Sequence, residues 1–125
     1  MIIELTSFAY RQGLPQEADF VFDVRFLADP HHSEDLRANT GMDMNVAAYI
    51  EKDQAFKLFF AALSDMLLGL LPHYGQKTGE RLKVAIGCVG GRHRSVYVAE
   101  RLSDLLHTSG HVVFLHHRDL KNQDS

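Results

Sequence analysis

Cysteine occurs once in this sequence and proline three times, and basic residues are outnumbered by acidic ones. The single thiol, Cys88, excludes an intramolecular disulfide and any zinc site built from several thiolates, and it suits a reducing compartment. With 13 Lys and Arg against 16 Asp and Glu, the formal net charge is −3. No overall field therefore draws in nucleic acid, and such a contact needs a local patch. Met1-Ile2-Ile3-Glu4-Leu5-Thr6 lacks the basic and apolar regions of a signal peptide. The most apolar stretch, Phe56 to Leu71, carries Lys57 and Asp65 and falls short of the roughly 20 apolar residues of a membrane span. These absences together predict a cytoplasmic protein with no membrane contact. A Walker-type loop and a Rossmann fingerprint are both missing, which argues against a nucleotide-hydrolysing engine within the chain. No cofactor and no metal are expected.

What is present fits one α/β domain over residues 1–125, because 46% hydrophobic content at this length can bury a single core. Ile2 to Tyr10 and Asp19 to Leu27 read as strands, separated by the turn Gly13-Leu14-Pro15. His31 to Met44 loses periodicity and reads as a long irregular loop of the kind that often carries function. Asp43 or Asn45 is placed to cap a short helix to Lys52. Phe56, Phe59, Phe60, Leu63, Met66, Leu67, Leu70 and Leu71 then recur at helical spacing, a core stripe that Pro72 is expected to stop. After a polar turn from Gly75 to Arg81, Leu82 to Cys88 reads as a buried central strand, His93 to Gly110 as a helix, and Val112 to His116 as a last strand. The closing βαβ order predicts a small, largely parallel sheet flanked by helices, with ligands at the carboxyl ends of the strands.

The strongest chemical signal is Gly87-Cys88-Val89-Gly90-Gly91-Arg92-His93-Arg94-Ser95, between a buried strand and a helix. Three glycines let backbone N–H groups converge on an anion, and the helix N-terminus adds partial positive charge. Arg92, His93 and Arg94 add side-chain donors, and Ser95 adds a hydroxyl or a cap. Two arginines and a histidine at a helix N-terminus oppose the macrodipole unless an anion offsets them. Cys88 and Arg94 also fit the Cys-x5-Arg-Ser spacing of cysteine-dependent phosphatases, with Asp23 as a candidate acid. Against that stands the commoner fate of a lone cysteine, a small apolar residue at a strand end. Strand alternation sets Asp23 and Arg25 on one face, as a structural pair or near a ligand. His31, at the mouth of the long loop, and Arg37 are open to an anion or to solvent alike. His116-His117-Arg118 with Lys121 makes a small basic terminus that Asp119 and Asp124 dilute.

On these residues the chain resembles the carboxyl-terminal domain of RapZ, the bacterial RNase adaptor family that senses glucosamine 6-phosphate. The resemblance runs from SFAYRQGLPQEADFVFDVRFL through Asp29-Pro30-His31, Leu36-Arg37-Ala38-Asn39-Thr40-Gly41-Met42-Asp43 and VAIGCVGGRHRSVYVAERL to His117-Arg118-Asp119-Leu120. It implies a non-enzymatic sensor of a phosphorylated aminosugar, with Asp23, His31, Cys88, Gly90, His93, Arg94 and Ser95 in the pocket and Gly91 in the same loop. Val89 stands where better-known members carry threonine. The resemblance further implies RNA as a second partner, a separate P-loop NTPase as a third, and a homo-oligomer in which Lys52, near a family arginine, supplies a charge from the next subunit.

Overall fold

Alternation decides the strands. In β1 (Ile2–Ala9) the side chains of Ile3 and Leu5 are fully buried while Ile2, Glu4 and Thr6 are only partly so. In β3 (Arg81–Cys88), Leu82, Val84 and Ile86 share the buried face with Ile3 and Leu5, because the parallel register pairs Ile3 with Leu82 and Leu5 with Val84. β4 (Val112–His117) pairs with the other edge of β1, and β2 (Phe20–Asp23) with the other edge of β3. The order β2-β3-β1-β4 is wholly parallel. The structure is a computed structural model and describes residues 1–77 and 81–120. It confirms a small α/β domain with a parallel sheet flanked by helices.

Three helices pack over the Leu5–Val84 face. α1 (Met44–Glu51) contributes Val46 and Ile50, α2 (Gln54–Lys77) contributes Phe56, Leu63, Leu67 and Leu71, and α3 (Arg94–Thr108) contributes Val98, Leu102 and Leu106 to one core. Each such fully buried aliphatic side chain stabilises the fold by about 1.5–3 kcal/mol relative to exposure. The opposite face of the sheet is more polar, with Glu4 paired to Arg81 at 3.1 Å and Lys83 to Glu17 at 3.4 Å.

Several boundaries differ from the sequence expectations. Pro72 does not stop α2, which runs on to Lys77, so the polar turn expected from Gly75 begins no earlier than residue 78, and residues 78–80 lie outside those described. Proline removes one helical N–H, and here it does so on the exposed side of the helix while Leu71 beside it stays anchored in the core. The longer helix is apolar and long enough, by length and composition alone, to cross a membrane. Phe56, Leu63, Leu67 and Leu71 on it are buried in the core, and 22% of its apolar window is buried. The apolar stripe is not all core, since Met66 and Leu70 are 39% and 38% exposed. β2 ends at Asp23 rather than Leu27, because the Asp23 carboxylate accepts the Arg25 N–H and Leu27 N–H turns back to the Val24 carbonyl. Asp43 occupies the N-cap position of α1, but its carboxylate accepts from Thr40 N–H instead of capping the helix.

Candidate functional site

β1, β2 and β3 end at one level, since Ala9 pairs with Cys88 and Asp23 with Gly87. The chain then leaves β3 through Val89 to His93 and enters α3. Gly91 has φ of +68°, and a Cβ there would crowd Ala9 at 3.0 Å. Only glycine takes that conformation at that approach without strain. Gly41 is required from the other side, because a Cβ would overlap the His93 carbonyl and the Tyr97 amide. The long loop after β2 is thereby pressed onto the start of α3, where Gly41 N–H donates to the Arg92 carbonyl.

The three consecutive residues Arg92, His93 and Arg94 are committed to backbone carbonyls of that loop. Arg92 Nε donates to the Asn39 carbonyl at 2.9 Å and its Nη2 to Ala38. His93 Nε2 lies 3.1 Å from the Leu36 carbonyl. Burial lowers the His93 pKa from its ordinary value and outweighs the backbone carbonyls of Asn39 and Leu36, which act to raise it. Arg94 Nη1 donates to the carbonyls of Arg25 at 2.6 Å and Leu27 at 3.2 Å, and Nη2 approaches Asp29 Oδ2 at 3.3 Å. Side chains expected to reach for a ligand thus hold the walls of the site in place, and a fully unengaged Arg94 clamp is not what the fold contains.

Cys88 is buried at the base. Its Sγ accepts the Ser95 N–H at 3.4 Å and donates to Ser95 Oγ at 3.1 Å. Ser95 therefore acts on Cys88 from below rather than on the space above.

That space is a cavity of about 550 Å³. Cys88, Val89 and Gly90 form its base, His93 and Arg94 one wall, and His31 and Arg37 the rim of another. Arg11, Ala38, Arg92 and Asp29 also line it, so among the described residues four arginines and one aspartate border the cavity. Gly91 and Ser95 support the turn from outside the lining, and Lys52, at the C-cap of α1, is exposed and also outside it. Asp23 does not line the cavity either. Its carboxylate is held by Arg25 at 2.7 Å, a contact that lowers its pKa, and the Arg25 guanidinium lies 3.8 Å from the Tyr10 ring centroid. The strand pairing expected of Asp23 and Arg25 is thus a structural ion pair. Sequence reasoning missed Arg11 and Asp29. The signal for Arg11 is the shared strand end: two residues beyond the Ala9–Cys88 pair, its guanidinium stands over Gly90. Among the described residues no group of three His, Cys, Asp or Glu side chains is arranged to hold a metal.

A family profile described as the RapZ C-terminal domain matches residues 1–121. The chain belongs to the RapZ C-terminal domain family. A nucleotide-binding protein of Rhodospirillum rubrum is 48% identical over 121 residues, covering 97% of this chain and 38% of the relative. One from Rhodospirillum centenum is 51% identical over 116 residues, with 93% and 35% covered, and one from a Thermoanaerobacter species is 45% identical over 120, with 96% and 42% covered. This RapZ-type domain spans about two-fifths of the length of those relatives.

Proposed function

We propose that this RapZ-type domain is a non-enzymatic sensor that seats the phosphate of a small phosphorylated metabolite, an aminosugar phosphate such as glucosamine 6-phosphate, in the cavity above Cys88. The observation that carries the reading is the cavity lining: four arginines and one aspartate, at the carboxyl ends of three parallel strands and the N-terminus of α3. The first-turn amides of a helix lack intrahelical acceptors and suit an anion there. Arg92, His93 and Arg94 preorganise the walls, which lowers the ordering cost of binding. Calorimetric titration with inorganic phosphate, glucose 6-phosphate, glucosamine 6-phosphate and ATP tests this. Binding of the sugar phosphates in competition with phosphate supports it, and no heat with any of them defeats it. The relatives are named nucleotide-binding proteins, and ATP in the panel measures whether this part of them contributes to that property.

A second reading, a cysteine-dependent phosphatase, is favoured by one observation. Cys88 lines the cavity and its Sγ receives the Ser95 N–H, an arrangement suited to a thiolate that would attack phosphorus. The P–O bond to the leaving alcohol would break as the alcohol takes a proton from solvent, and water would then attack the thiophosphate and release phosphate and the thiolate. Release of phosphate from p-nitrophenyl phosphate, lost in Cys88→Ser, selects this reading, and absence of turnover selects the sensor. RNA contact draws less support, because Arg118 is spent on the Gly13 carbonyl and Asp119, and His117 on Ser7 and Glu100. Lys121, expected to extend that basic terminus, lies outside the described residues. Lys52 reaches a cavity only if it belongs to a neighbouring copy, which analytical ultracentrifugation with and without ligand tests.

A further inference from the structure

We infer that the outer edge of β4 pairs with the same edge of a second copy of this chain, joining two four-stranded sheets into one. The inference goes beyond the sensor reading and does not depend on it. In the order β2-β3-β1-β4 the strand β4 closes one end, and among the described residues no other strand lies along its outer side. Val112 N–H donates to the Met1 carbonyl at 3.1 Å and Arg118 N–H to the Ser7 carbonyl at 3.0 Å, so the even-numbered residues address β1. Main-chain groups alternate sides along a strand, and Val113 and Leu115 therefore turn their N–H and C=O groups to the open edge.

Sheet edges are ordinarily guarded by shortness, charge, proline or a bulge. β2, the other edge, is four residues long and ends in Asp23, which Arg25 holds. β4 has none of these guards: its six residues, VVFLHH, include no Lys, Arg, Asp, Glu or Pro, and its register on β1 runs unbroken from Val112 to His117. Val112 and Phe114 are 53% and 59% exposed on the face opposite the helices, while Val113 and Leu115 lean on the core. The strand is also complementary to itself, which selects a second copy over an unrelated strand. A two-fold axis through Phe114 sets Val113 of each copy opposite Leu115 of the other, where each pair exchanges both of its main-chain bonds. The same register brings Phe114 beside Phe114 as a non-hydrogen-bonded pair and sets Val112 against His116, so apolar residues meet on both faces. A shift of two residues either way sets Phe114 against Val112 or His116 and parts the two rings. The contact is isologous, so it closes at two copies. Because the paired strands run antiparallel, the two carboxyl-end cavities lie at opposite ends of the joined sheet and neither is covered.

Sedimentation velocity from about 1 to 500 μM, a range suited to a small strand-edge contact, reads the association. Wild type is expected to pass from monomer to dimer over that range. Phe114→Lys sets two like charges opposite each other at an exposed position and is expected to raise the midpoint at least about tenfold, with thermal unfolding to check that the variant is folded. Mild oxidation of Phe114→Cys tests the register, because the Cα atoms of a non-hydrogen-bonded pair lie about 4.5 Å apart, within the roughly 4.4–6.8 Å of a disulfide. A covalent dimer is expected there and not from Val112→Cys, whose two thiols start about four residues, roughly 13 Å, apart. Peptide mass mapping distinguishes that link from one through the buried Cys88. A wild type that is monomeric throughout overturns the inference and leaves the edge to a strand of another protein. So does a dimer that Phe114→Lys leaves intact, one that Lys52→Ala abolishes, or one in which Val112→Cys links as readily as Phe114→Cys.

Discussion

Replacing Arg94 with alanine removes the donor to two backbone carbonyls and one carboxylate in a single step. Arg94 is 5% exposed, and its partners at positions 25, 27 and 29 form the wall that follows β2. A hydrogen bond to a charged donor contributes about 1.5–3 kcal/mol, and water entering through the cavity restores part of what is lost. The expected destabilisation is about 3–5 kcal/mol, between the worth of one such bond and that of a broken buried ion pair. For a chain of this size that corresponds to a fall in Tm of roughly 10–20 °C. Urea unfolding and thermal scans of Arg94→Ala measure it, and Arg94→Lys is expected to fall between, since lysine reaches fewer of the three acceptors. An alanine variant that keeps the wild-type midpoint while losing phosphate binding would refute the reasoning. Arg94 would then be a free ligand clamp whose bonds to the loop are worth nothing.

Gly41→Ala forces a Cβ against the His93 carbonyl and the Tyr97 amide, and is expected to cost about 1–3 kcal/mol or more in urea unfolding. His93 has a folded-state pKa below its unfolded value, so its contribution to stability is complete above about pH 6.5 and is lost as pH falls through the depressed folded value. Wild type is therefore expected to lose more stability than His93→Gln between neutral pH and pH 5, and parallel curves for the two would contradict the burial of a neutral ring. Cys88→Ser is expected to keep sugar-phosphate affinity with at most a modest loss, checked by the same calorimetry, because the thiol lies beneath the turn and its partner Ser95 remains.

The parts of the fold legible in the sequence are those set by short-range pattern. Alternation at Ile3 and Leu5, the apolar run before Cys88 and the 3.6-residue spacing of Val98, Leu102 and Leu106 each locate an element without reference to the rest of the chain. Less legible was what depends on competition. Val24 to Leu27 reads as a continuation of the strand until the Asp23 carboxylate takes the Arg25 N–H, and Pro72 reads as a stop until Leu71 holds the helix past it. At the site, the turn from Gly87 to Ser95 was visible as a glycine-rich strand-to-helix turn. The occupations of Arg92, His93 and Arg94 were not, because their acceptors are main-chain carbonyls, and every residue has one. Arg11 was invisible for a related reason: its place over Gly90 follows from the register of β1 on β3, which no local pattern specifies.

The bonds from Arg92 and Arg94 join residues 53 to 69 positions apart in the chain. Closing such loops costs chain entropy before any contact repays it, as does the longer-range pairing of β1 with β3 and β4, so the cavity walls are expected to assemble no earlier than the sheet they rest on. A half-folded chain with β3 and α3 docked but the loop after β2 still loose has no cavity. A ligand seated there as proposed would recognise only the finished molecule, and its occupancy would shift the folding equilibrium by about 2.7 kcal/mol at a hundred times Kd. In a cell that degrades loosened chains, the lifetime of the domain would then follow the concentration of that proposed ligand, and its abundance would report it alongside any change of shape.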